Sequence, residues 1–381
     1  MELRYVQTNL NHCRAAQDLL GEFVRAEDIA VALVSEPQGG GRTGWHFDST
    51  GRAALAVFRP GLTLSDIETG DGFVAATVGG AVRAFSCYAS PAMSVAEFGQ
   101  FLGRLEASVR RDRGVGIDLI VGGDFNARSA SWGDRLTEVR GDDLAAFADS
   151  LGLVIINSGR GPTFFGRGRG SCVDVTFASE SAARKIRGWT VRTDVENMSD
   201  HHHLCFSYRT GRTLPDTSGD PPAAAAAGRR HPGWRTSRMD ADLLAAAVLT
   251  VEWTGATLPS VAPAGSGGAE AMAERLVGCV TAACDMALPR RNPHPRGRPP
   301  VYWWNGNVAA ARAECVRRKR LWIRRRGRAH GGDVSAADVE RDYREARKEL
   351  KHRIREAKAK CWAELVKTVD DDPWGNPIRS S

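Results

Sequence analysis

Short apolar runs separated by amphipathic segments fill the first 208 residues, and this alternation restricts the possible folds more than any other feature of the chain. The runs have the length and side chains of buried strands, and they lie at residues 3–6, 29–34, 53–58, 73–78, 82–88, 117–121 and 173–177. Between them, residues 11–25 and 94–111 carry apolar positions at helical spacing, and residues 142–151 resemble a shorter helix. No internal repeat is evident. The pattern predicts a sheet-rich α/β body covered by helices.

The apolar runs are too short to span a membrane, since even those at residues 29–34 and 153–156 fall well below the length of a spanning helix. The first residues, MELRYVQTNL, lack the basic start and apolar core of a secretion signal. Eight cysteines without a C-x-x-C pair favour reduced thiols over a zinc ribbon or a disulfide framework. We therefore expect an intracellular protein with no membrane partner.

Charge and composition divide the chain into a body and a basic tail. Residues 1–210 carry 22 Lys+Arg and 25 Asp+Glu, whereas the remaining residues carry 30 and 20. Proline, glycine, serine and a run of alanines at residues 210–233 are typical of a linker. We predict a domain at residues 1–209, a flexible linker at 210–233, a weakly helical connector without assigned chemistry at 234–300, and a basic helical extension at 301–381.

The extension combines two helical patterns. Residues 339–366 show an apolar stripe at helical spacing, and their charges are interpreted as a solvated face. Residues 312–328 hold nine basic side chains interleaved with Trp322, a density that favours contact with RNA or DNA. The two helices are predicted to pack as a hairpin. The candidate nucleic-acid contacts are Arg317, Arg318, Lys319, Arg320, Arg324, Arg325 and Arg326.

Polar residues follow several of the predicted strands. Asp124 and Asn126 come after the run at 117–121 and a Gly-Gly pair, which predicts a tight turn at the strand end. Similar positions are held by Asn9, Glu36, Tyr88 and the segment Ser199-Asp200-His201, while Asp174 lies within an apolar strand. Each residue alone has a structural explanation, such as a turn cap, a surface charge or a rim aromatic. Together they supply oxygen ligands for Mg²⁺, an imidazole to meet a phosphate and a carboxylate to orient that imidazole, which is typical of a nuclease.

The ordered motifs QTN, SEP, CYASP, GDFNA, CVDVTFAS and SDHH resemble the endonuclease/exonuclease/phosphatase superfamily. Within it, they are similar to the apurinic-endonuclease-like domain of non-LTR (LINE-type) retrotransposons, over about residues 3–208. The later segments PVYWWNGNVAAARAECVRRKR and CWAELVKTVDDDPWGNP resemble the connector that precedes the reverse transcriptase in such elements. The chain therefore looks like an amino-terminal piece of a longer polyprotein.

This resemblance implies a four-layer α/β sandwich of two mixed β-sheets flanked by helices, followed by the linker and the basic α-helical extension. It also implies a role for each matching residue. Asn9 and Glu36 match the metal-binding pair, and Asp200 matches a further metal-linked carboxylate. Asp124 matches the residue that activates the attacking water, which Asn126 orients. His201, paired with Asp174, and Tyr88 match the groups that contact the scissile phosphate.

The implied activity is that of a Mg²⁺-dependent endonuclease, with Mn²⁺ as a substitute, that nicks double-stranded target DNA in the nucleus. The nick leaves a 3′-hydroxyl that primes reverse transcription. The implied partners are target DNA, element RNA through the basic tail, and a downstream reverse transcriptase domain. Three alternatives stay open, because related sites serve several substrates: a phosphomonoesterase, an abasic-site endonuclease, and a catalytically inactive nucleic-acid-binding fragment.

Residues 161–174 are expected to form a hairpin, which in related nucleases enters a DNA groove just before the position of Asp174. Its tip carries Arg167 and Arg169 on a glycine scaffold, and arginine is suited to a narrow minor groove. A solvent-exposed turn is the alternative interpretation. Thr163 and Ser199 are further candidate DNA contacts. His202 and His203 are not predicted to share a zinc ion with His201, because neighbouring residues on a strand face opposite sides.

Overall fold

The computed structural model describes residues 2–39, 43–113, 116–158, 161–166, 169–210, 243–248, 280, 283–284, 287, 301–326 and 334–371. The chain forms two compact units, one of Met1–Ser218 with Gly297–Ser381 and the other of Gly219–Arg296. In the second unit the described residues are helical. The predicted linker beyond residue 210 and most of the predicted connector lie outside the described residues.

The first unit contains the strands and helices that build the body. The strands are β1 (Glu2–Asn9), β2 (Val31–Ser35), β3 (Trp45–Phe47), β4 (Ala53–Val57), β5 (Leu64–Thr69), β6 (Phe73–Val78), β7 (Val82–Tyr88), β8 (Asp118–Asp124), β9 (Leu153–Ile155), β10 (Phe164–Gly166), β11 (Arg169–Ser171), β12 (Asp174–Ser179), β13 (Ile186–Arg192) and β14 (His203–Arg209). The helices are α1 (Arg14–Ala26), α2 (Val95–Arg113), α3 (Val139–Ser150), α4 (Glu180–Ala183), α5 (Gly306–Arg326) and α6 (Val334–Asp371). None of the helices in the described part of the chain is both long and apolar enough to cross a bilayer.

Two mixed six-stranded sheets form the centre of the unit. The first has the order β13-β14-β1-β2-β4-β3 and the second the order β5-β6-β7-β8-β12-β9. In each sheet one central pair is parallel, β1 with β2 and β7 with β8, and every other neighbouring pair is antiparallel. Helix α1 joins the first parallel pair and α2 joins the second. Each sheet is therefore built around one βαβ unit, a repetition that the sequence does not reveal.

Three apolar clusters hold the layers together. The first lies between the two sheets and includes Tyr5 and Leu33 from one sheet and Val74 and Ile120 from the other. The second packs α2 and α3 onto the outer face of the sheet that contains β8. The third packs α1, α5 and α6 together with the sheet that contains β1. The predicted four-layer sandwich of two mixed sheets flanked by helices, with a helical C-terminal region, is confirmed.

The two C-terminal helices form the predicted hairpin. Trp322 of α5 stacks on Tyr343 of α6 with ring centroids 5.3 Å apart, and Arg318 pairs with Asp342 across the hairpin. The apolar stripe predicted for α6 is buried at Tyr343, Leu350, Ile354 and Ala357, where it joins the cluster that includes α1. The hairpin thus contributes apolar surface to the core of the body.

The Gly122-Gly123 pair lies within β8 and does not form the turn predicted for it. Two close approaches explain the glycines. A Cβ atom on Gly123 would lie 2.0 Å from the carbonyl oxygen of Cys87 on β7, and one on Gly122 would lie 2.5 Å from Oε1 of Gln7 on β1. Glycine is needed here because the neighbouring strand and the facing sheet leave no space for a side chain. The turn begins after Asp124.

Candidate active site

The predicted site residues meet at one end of the sandwich because of the strand order. The parallel pairs β1/β2 and β7/β8 both end there, and they deliver Asn9, Glu36, Tyr88 and Asp124. Strands β12 and β14 are antiparallel neighbours of β8 and β1, so they begin where those strands end. Asp174 is thereby placed opposite Asp124 in the register, and Ser199-Asp200-His201 precedes β14.

Asn9 connects the two halves of the site. Its Nδ2 donates to Oε2 of Glu36 at 3.0 Å and to Oδ2 of Asp124 at 2.8 Å, while its Oδ1 accepts the backbone N–H of Asn11. Tyr88 donates its hydroxyl to the other oxygen of Glu36 at 2.6 Å. Asn9 and Glu36, the predicted metal pair, are therefore in contact. Asn9 also bonds to Asp124 and Glu36 to Tyr88, and both of these partners belong to the second sheet.

Asp174, His201 and Asp124 form a buried chain of charged groups. Nδ1 of His201 lies 2.9 Å from Oδ2 of Asp174, and Nε2 of His201 lies 3.8 Å from Oδ2 of Asp124. One ligand atom from each residue lies within 4.8 Å of the others. This is the Asp–His pairing that the sequence predicted. Asp200 lies at the rim, where both of its carboxylate oxygens accept from Asn11 at 3.1 Å.

Burial and neighbouring charges shift the pKa values of the side chains in the site. Burial raises the pKa of Asp124, and the nearby charge of Asp174 adds to that rise. Burial alone would lower the pKa of His201, but the negative charges of Asp174 and Asp124 outweigh it and raise that pKa to about 9. His201 is therefore protonated at neutral pH. Burial and the hydrogen bond to Glu36 also raise the pKa of Tyr88, which keeps its hydroxyl a donor.

Two site residues have a left-handed backbone, with φ +46° at Glu36 and +44° at Asn126. Such angles are unfavourable for residues other than glycine and require support from their surroundings. The N–H of Glu36 donates to Arg52, and its carbonyl accepts from His12. Asn126 donates its N–H to Oδ1 of Asp124 and its Nδ2 to Oδ2 of the same residue. These bonds hold the carboxylate and the carboxamide side by side.

The predicted DNA contacts Thr163 and Ser199 are buried and bonded within the protein. Oγ1 of Thr163 accepts the N–H groups of Val173 and Asp174, and the Ser199 hydroxyl donates to the carbonyl of Asn9 at 2.8 Å. As positioned, these hydroxyls fix the segments that carry Asp174 and His201 and are not open to DNA. Strands β10 and β11 form the predicted hairpin. Arg167 lies outside the described residues, and only the backbone of Arg169 is described.

The predicted nucleic-acid contacts of the tail differ in their accessibility. Lys319 differs from the prediction that it contacts nucleic acid. Its side chain is only 6% exposed, and its Nζ donates to the carbonyl of Val195. Arg317 and Arg318 are paired with Glu314. Of the candidate contacts on α5, Arg317, Arg320, Arg324 and Arg325 are exposed, while for Arg326 only the backbone is described. The candidate surface is therefore smaller than the sequence suggested.

Three further polar residues near the site escaped the sequence analysis. Nε2 of His12 lies 3.6 Å from Glu36, and Arg140 donates to the carbonyls of Ser90 and Phe125, which follow the ends of β7 and β8. Glu196 is fully buried five positions before His201. No motif marks them, because each acts through partners that are distant in sequence.

The other two histidines of the run are buried within the body. Burial, with nearby positive charge, lowers the pKa of both His202 and His203 to about 3, so both are neutral. Nδ1 of His203 lies 2.9 Å from the hydroxyl of Thr8. His201 is the member of the run that faces the acidic residues.

The donor set fits a divalent cation. Asp124, Asp174 and Glu36 bring three carboxylates into one cleft, and His201 supplies a positive charge beside two of them. The raised pKa of buried Asp124 indicates that its negative charge is not fully compensated by the protein. Carboxylate oxygens are the ligands that Mg²⁺ prefers. A hard divalent ion is therefore chemically suited to this cleft.

Comparisons with known proteins agree with this inventory. Residues 82–205 match the family described as endonuclease-reverse transcriptase, a span that includes Tyr88, Asp124, Asn126, Asp174 and His201. A curated relative, the Retrovirus-related Pol polyprotein from type-1 retrotransposable element R1 of Bradysia coprophila, is 26% identical over 272 residues. That alignment covers 68% of this chain and 25% of the relative, so the chain spans about a quarter of that protein's length.

Solved structures extend the comparison. The endonuclease domain of TRAS1, a telomere-specific non-LTR retrotransposon, is 30% identical, and the alignment covers 56% of this chain and 100% of that domain with a TM-score of 0.47. An AP endonuclease from Archaeoglobus fulgidus is 16% identical, with 54% of this chain and 99% of that chain covered and a TM-score of 0.47. Residues 82–205 therefore carry an endonuclease-reverse transcriptase-like domain, and the chain is similar to part of the Pol polyprotein of a retrotransposable element.

Proposed function

We propose that the chain is a Mg²⁺-dependent DNA endonuclease that nicks double-stranded DNA by phosphodiester hydrolysis and leaves a 3′-hydroxyl. The observation that carries this proposal is the Asp174–His201 pair, joined at 2.9 Å, with Nε2 of the imidazole 3.8 Å from Asp124. A protonated imidazole next to a carboxylate suits a reaction that places negative charge on phosphate oxygens.

Each side chain has a distinct part in this reaction. Asp174 holds His201 in its protonated form and aims Nε2 into the cleft, where it donates a hydrogen bond to a phosphate oxygen. Asp124 accepts the proton of the attacking water, and its raised pKa suits that role. Asn126, bonded to both oxygens of Asp124, keeps the carboxylate in one orientation. Tyr88 holds Glu36 through its hydroxyl.

Glu36 and the adjoining Asn9 are the residues that would hold the metal ion, with Asp200 at the rim as a further carboxylate. When bound there, Mg²⁺, or Mn²⁺ in its place, neutralises charge on the phosphate and on the leaving oxygen. Asn9 also has a structural role that does not depend on the metal ion. Its amide nitrogen bonds to the carboxylates of Glu36 and Asp124, which come from different sheets.

In the parent element, we propose that the 3′-hydroxyl primes reverse transcription by a domain downstream in the same polyprotein. Similarity to a Pol polyprotein, of which this chain spans about a quarter, supports a link to such a domain. Target DNA in the nucleus and element RNA bound by the exposed arginines of α5 complete the proposed partners. The full reaction belongs to the longer protein.

The test is nicking of supercoiled plasmid by the purified chain, with Mg²⁺ and with a chelator, beside Asp124→Ala. We expect open-circular product from the wild type with Mg²⁺, and loss of that product in the variant and in the chelator. An abasic duplex compared with an intact one separates repair-type cleavage from general nicking. A folded wild-type chain that cuts neither substrate contradicts the proposal, and phosphomonoesters would then be tested as substrates.

A further inference from the structure

The loop between β13 and β14, residues 193–202, carries Asp200 and His201 to the site. Its middle is buried, with Glu196 0%, Asn197 1% and Met198 7% exposed. Met198 has a left-handed backbone with φ +62°, an unfavourable conformation for a residue with a side chain. The loop therefore holds a strained conformation that its surroundings must maintain.

Glu196 connects this loop to the C-terminal helices α5 and α6. Its Oε2 accepts from the hydroxyl of Tyr343 on α6 at 2.7 Å and lies 3.7 Å from Nζ of Lys319 on α5. Its Oε1 lies 3.5 Å from Nε of Arg347 and accepts the N–H of Met198 at 2.9 Å. We refer to Glu196, Lys319, Tyr343 and Arg347 as the Glu196 network. It bonds the strained residue of the loop directly to the helical hairpin.

Backbone contacts reinforce the same connection. Lys319 donates to the carbonyl of Val195 at 3.0 Å, and Arg312 of α5 donates to the carbonyl of Glu196 at 3.4 Å. Beyond the network, Asn197 donates to the carbonyl of His201 at 2.7 Å. A continuous series of bonds thus runs from α5 and α6 through Glu196 and the adjacent Asn197 to the backbone of His201.

The hairpin also supports the second segment beside His201. Trp322 of α5 packs edge-on against Phe165 of β10, with ring centroids 6.2 Å apart, and Phe165 donates its N–H to the carbonyl of Asp200. The neighbouring Phe164 lies with its ring 4.7 Å from that of His201. Both segments that flank the imidazole are therefore backed by the C-terminal helices.

We infer that the C-terminal helical hairpin is a positioning element of the nuclease site, in which Glu196 and Tyr343 fix the loop that aims His201. Removing one partner of a buried charge leaves the other partners uncompensated, so the loop is expected to shift when the network is broken. Small displacements of a reacting group reduce rates strongly. This inference rests on the proposed function. It assigns the basic extension a role in positioning His201, in addition to the proposed contact of its arginines with nucleic acid.

Tyr343→Phe in the full chain tests the inference, because it removes one hydroxyl and leaves the ring in place. The matched control is Lys358→Met, since Lys358 also joins α6 to the body, through Asp18 of α1 at 2.9 Å. We expect the single-turnover nicking rate of Tyr343→Phe to fall about tenfold, with the half-saturating DNA concentration unchanged. Lys358→Met is expected to keep the wild-type rate. If Tyr343→Phe does not fold, Glu196→Gln is measured in its place.

A second measurement does not depend on activity. In protein carrying ¹³C-histidine, with His201→Gln identifying the resonance, the His201 ring signal should move in Tyr343→Phe and stay in place in Lys358→Met. Equal losses of rate in both variants, or an unmoved His201 signal in Tyr343→Phe, would overturn the inference. If the wild type shows no nicking, the proposed function fails, and the histidine signal alone decides whether the hairpin positions His201.

Discussion

At the scale of single residues, the function of each buried carboxylate depends on the groups that it contacts. Asp174 and Asp134 are both buried aspartates, yet they serve different ends. Asp174 holds an imidazole that faces the cleft, whereas Asp134 binds Arg128 and the N–H of Cys172, which joins the segment after β8 to the segment before β12. One is expected to affect rate and the other stability.

Asp174→Asn keeps the shape of the side chain and removes the charge that holds the proton of His201. The pKa of His201 is then lowered by burial and raised only by Asp124 and Asp200, so it falls and less of the imidazole is protonated at neutral pH. We expect the nicking rate to fall about a hundredfold or more in this variant and in His201→Ala. His46→Ala, on the edge strand β3, is the control. Near wild-type nicking by either site variant would refute the role of this pair.

Asp134→Asn is expected to lower stability in a pH-dependent way. Burial opposes ionisation of Asp134, but hydrogen bonds from Arg128, Cys172 and Leu136 overcome it and hold its pKa below the ordinary value. The carboxylate therefore stabilises the fold above about pH 4, and this contribution is lost as the pH falls through the lowered pKa. The variant should lose about 1–3 kcal/mol at pH 7.

Urea denaturation at pH 7, 5 and 3 measures this difference. The gap between wild type and Asp134→Asn should be full at pH 7 and should narrow at pH 3. The exposed Asp149→Asn on α3 serves as the control, with a small change throughout. A gap that is constant across the three pH values would show that the charge of Asp134 is not what stabilises the fold.

At the scale of elements, close packing of β8 against its neighbours sets the position of Asp124. Gly123→Ala would place a Cβ atom 2.0 Å from a backbone oxygen of β7, which cannot move away as a side chain could. We expect a loss of about 3 kcal/mol or more in the free energy of unfolding. Gly99→Ala in α2 is the control, because its Cβ would meet no atom within 4 Å and alanine favours a helix. Equal stability of both variants would contradict the steric explanation.

The sequence predicted the central strands and the helices that cover them, because buried elements carry a clear apolar pattern. It missed edge strands such as β5 and β13, whose sequences LSDIET and IRGWTVR alternate poorly and contain register shifts. It predicted the motif residues of the site, but not Glu196, since Tyr343 lies 147 positions away. The turn predicted at Gly122-Gly123 was wrong, because both glycines lie within β8. They avoid steric clashes with a neighbouring strand and the facing sheet, and the sequence of one strand does not show such contacts.

At the scale of the whole molecule, a slightly acidic body is combined with a basic extension. We expect the triple variant Arg320→Ala, Arg324→Ala, Arg325→Ala to bind duplex DNA about tenfold more weakly at low salt, with a smaller salt dependence. Binding titrations at several salt concentrations measure both quantities, with Arg184→Ala, directly after α4, as the control. Unchanged affinity and salt dependence would remove these arginines from the proposed nucleic-acid surface.

The position of Tyr343 in the chain has a consequence for the time at which the protein becomes active. Ribosomes add about 5–20 residues per second, and Tyr343 is made 147 residues after the glutamate that it binds. The nascent chain therefore exposes His201 for several seconds before the helix that holds its loop exists. If the hairpin positions that loop, cutting becomes efficient only late in synthesis, so a truncated product would be a poor nuclease.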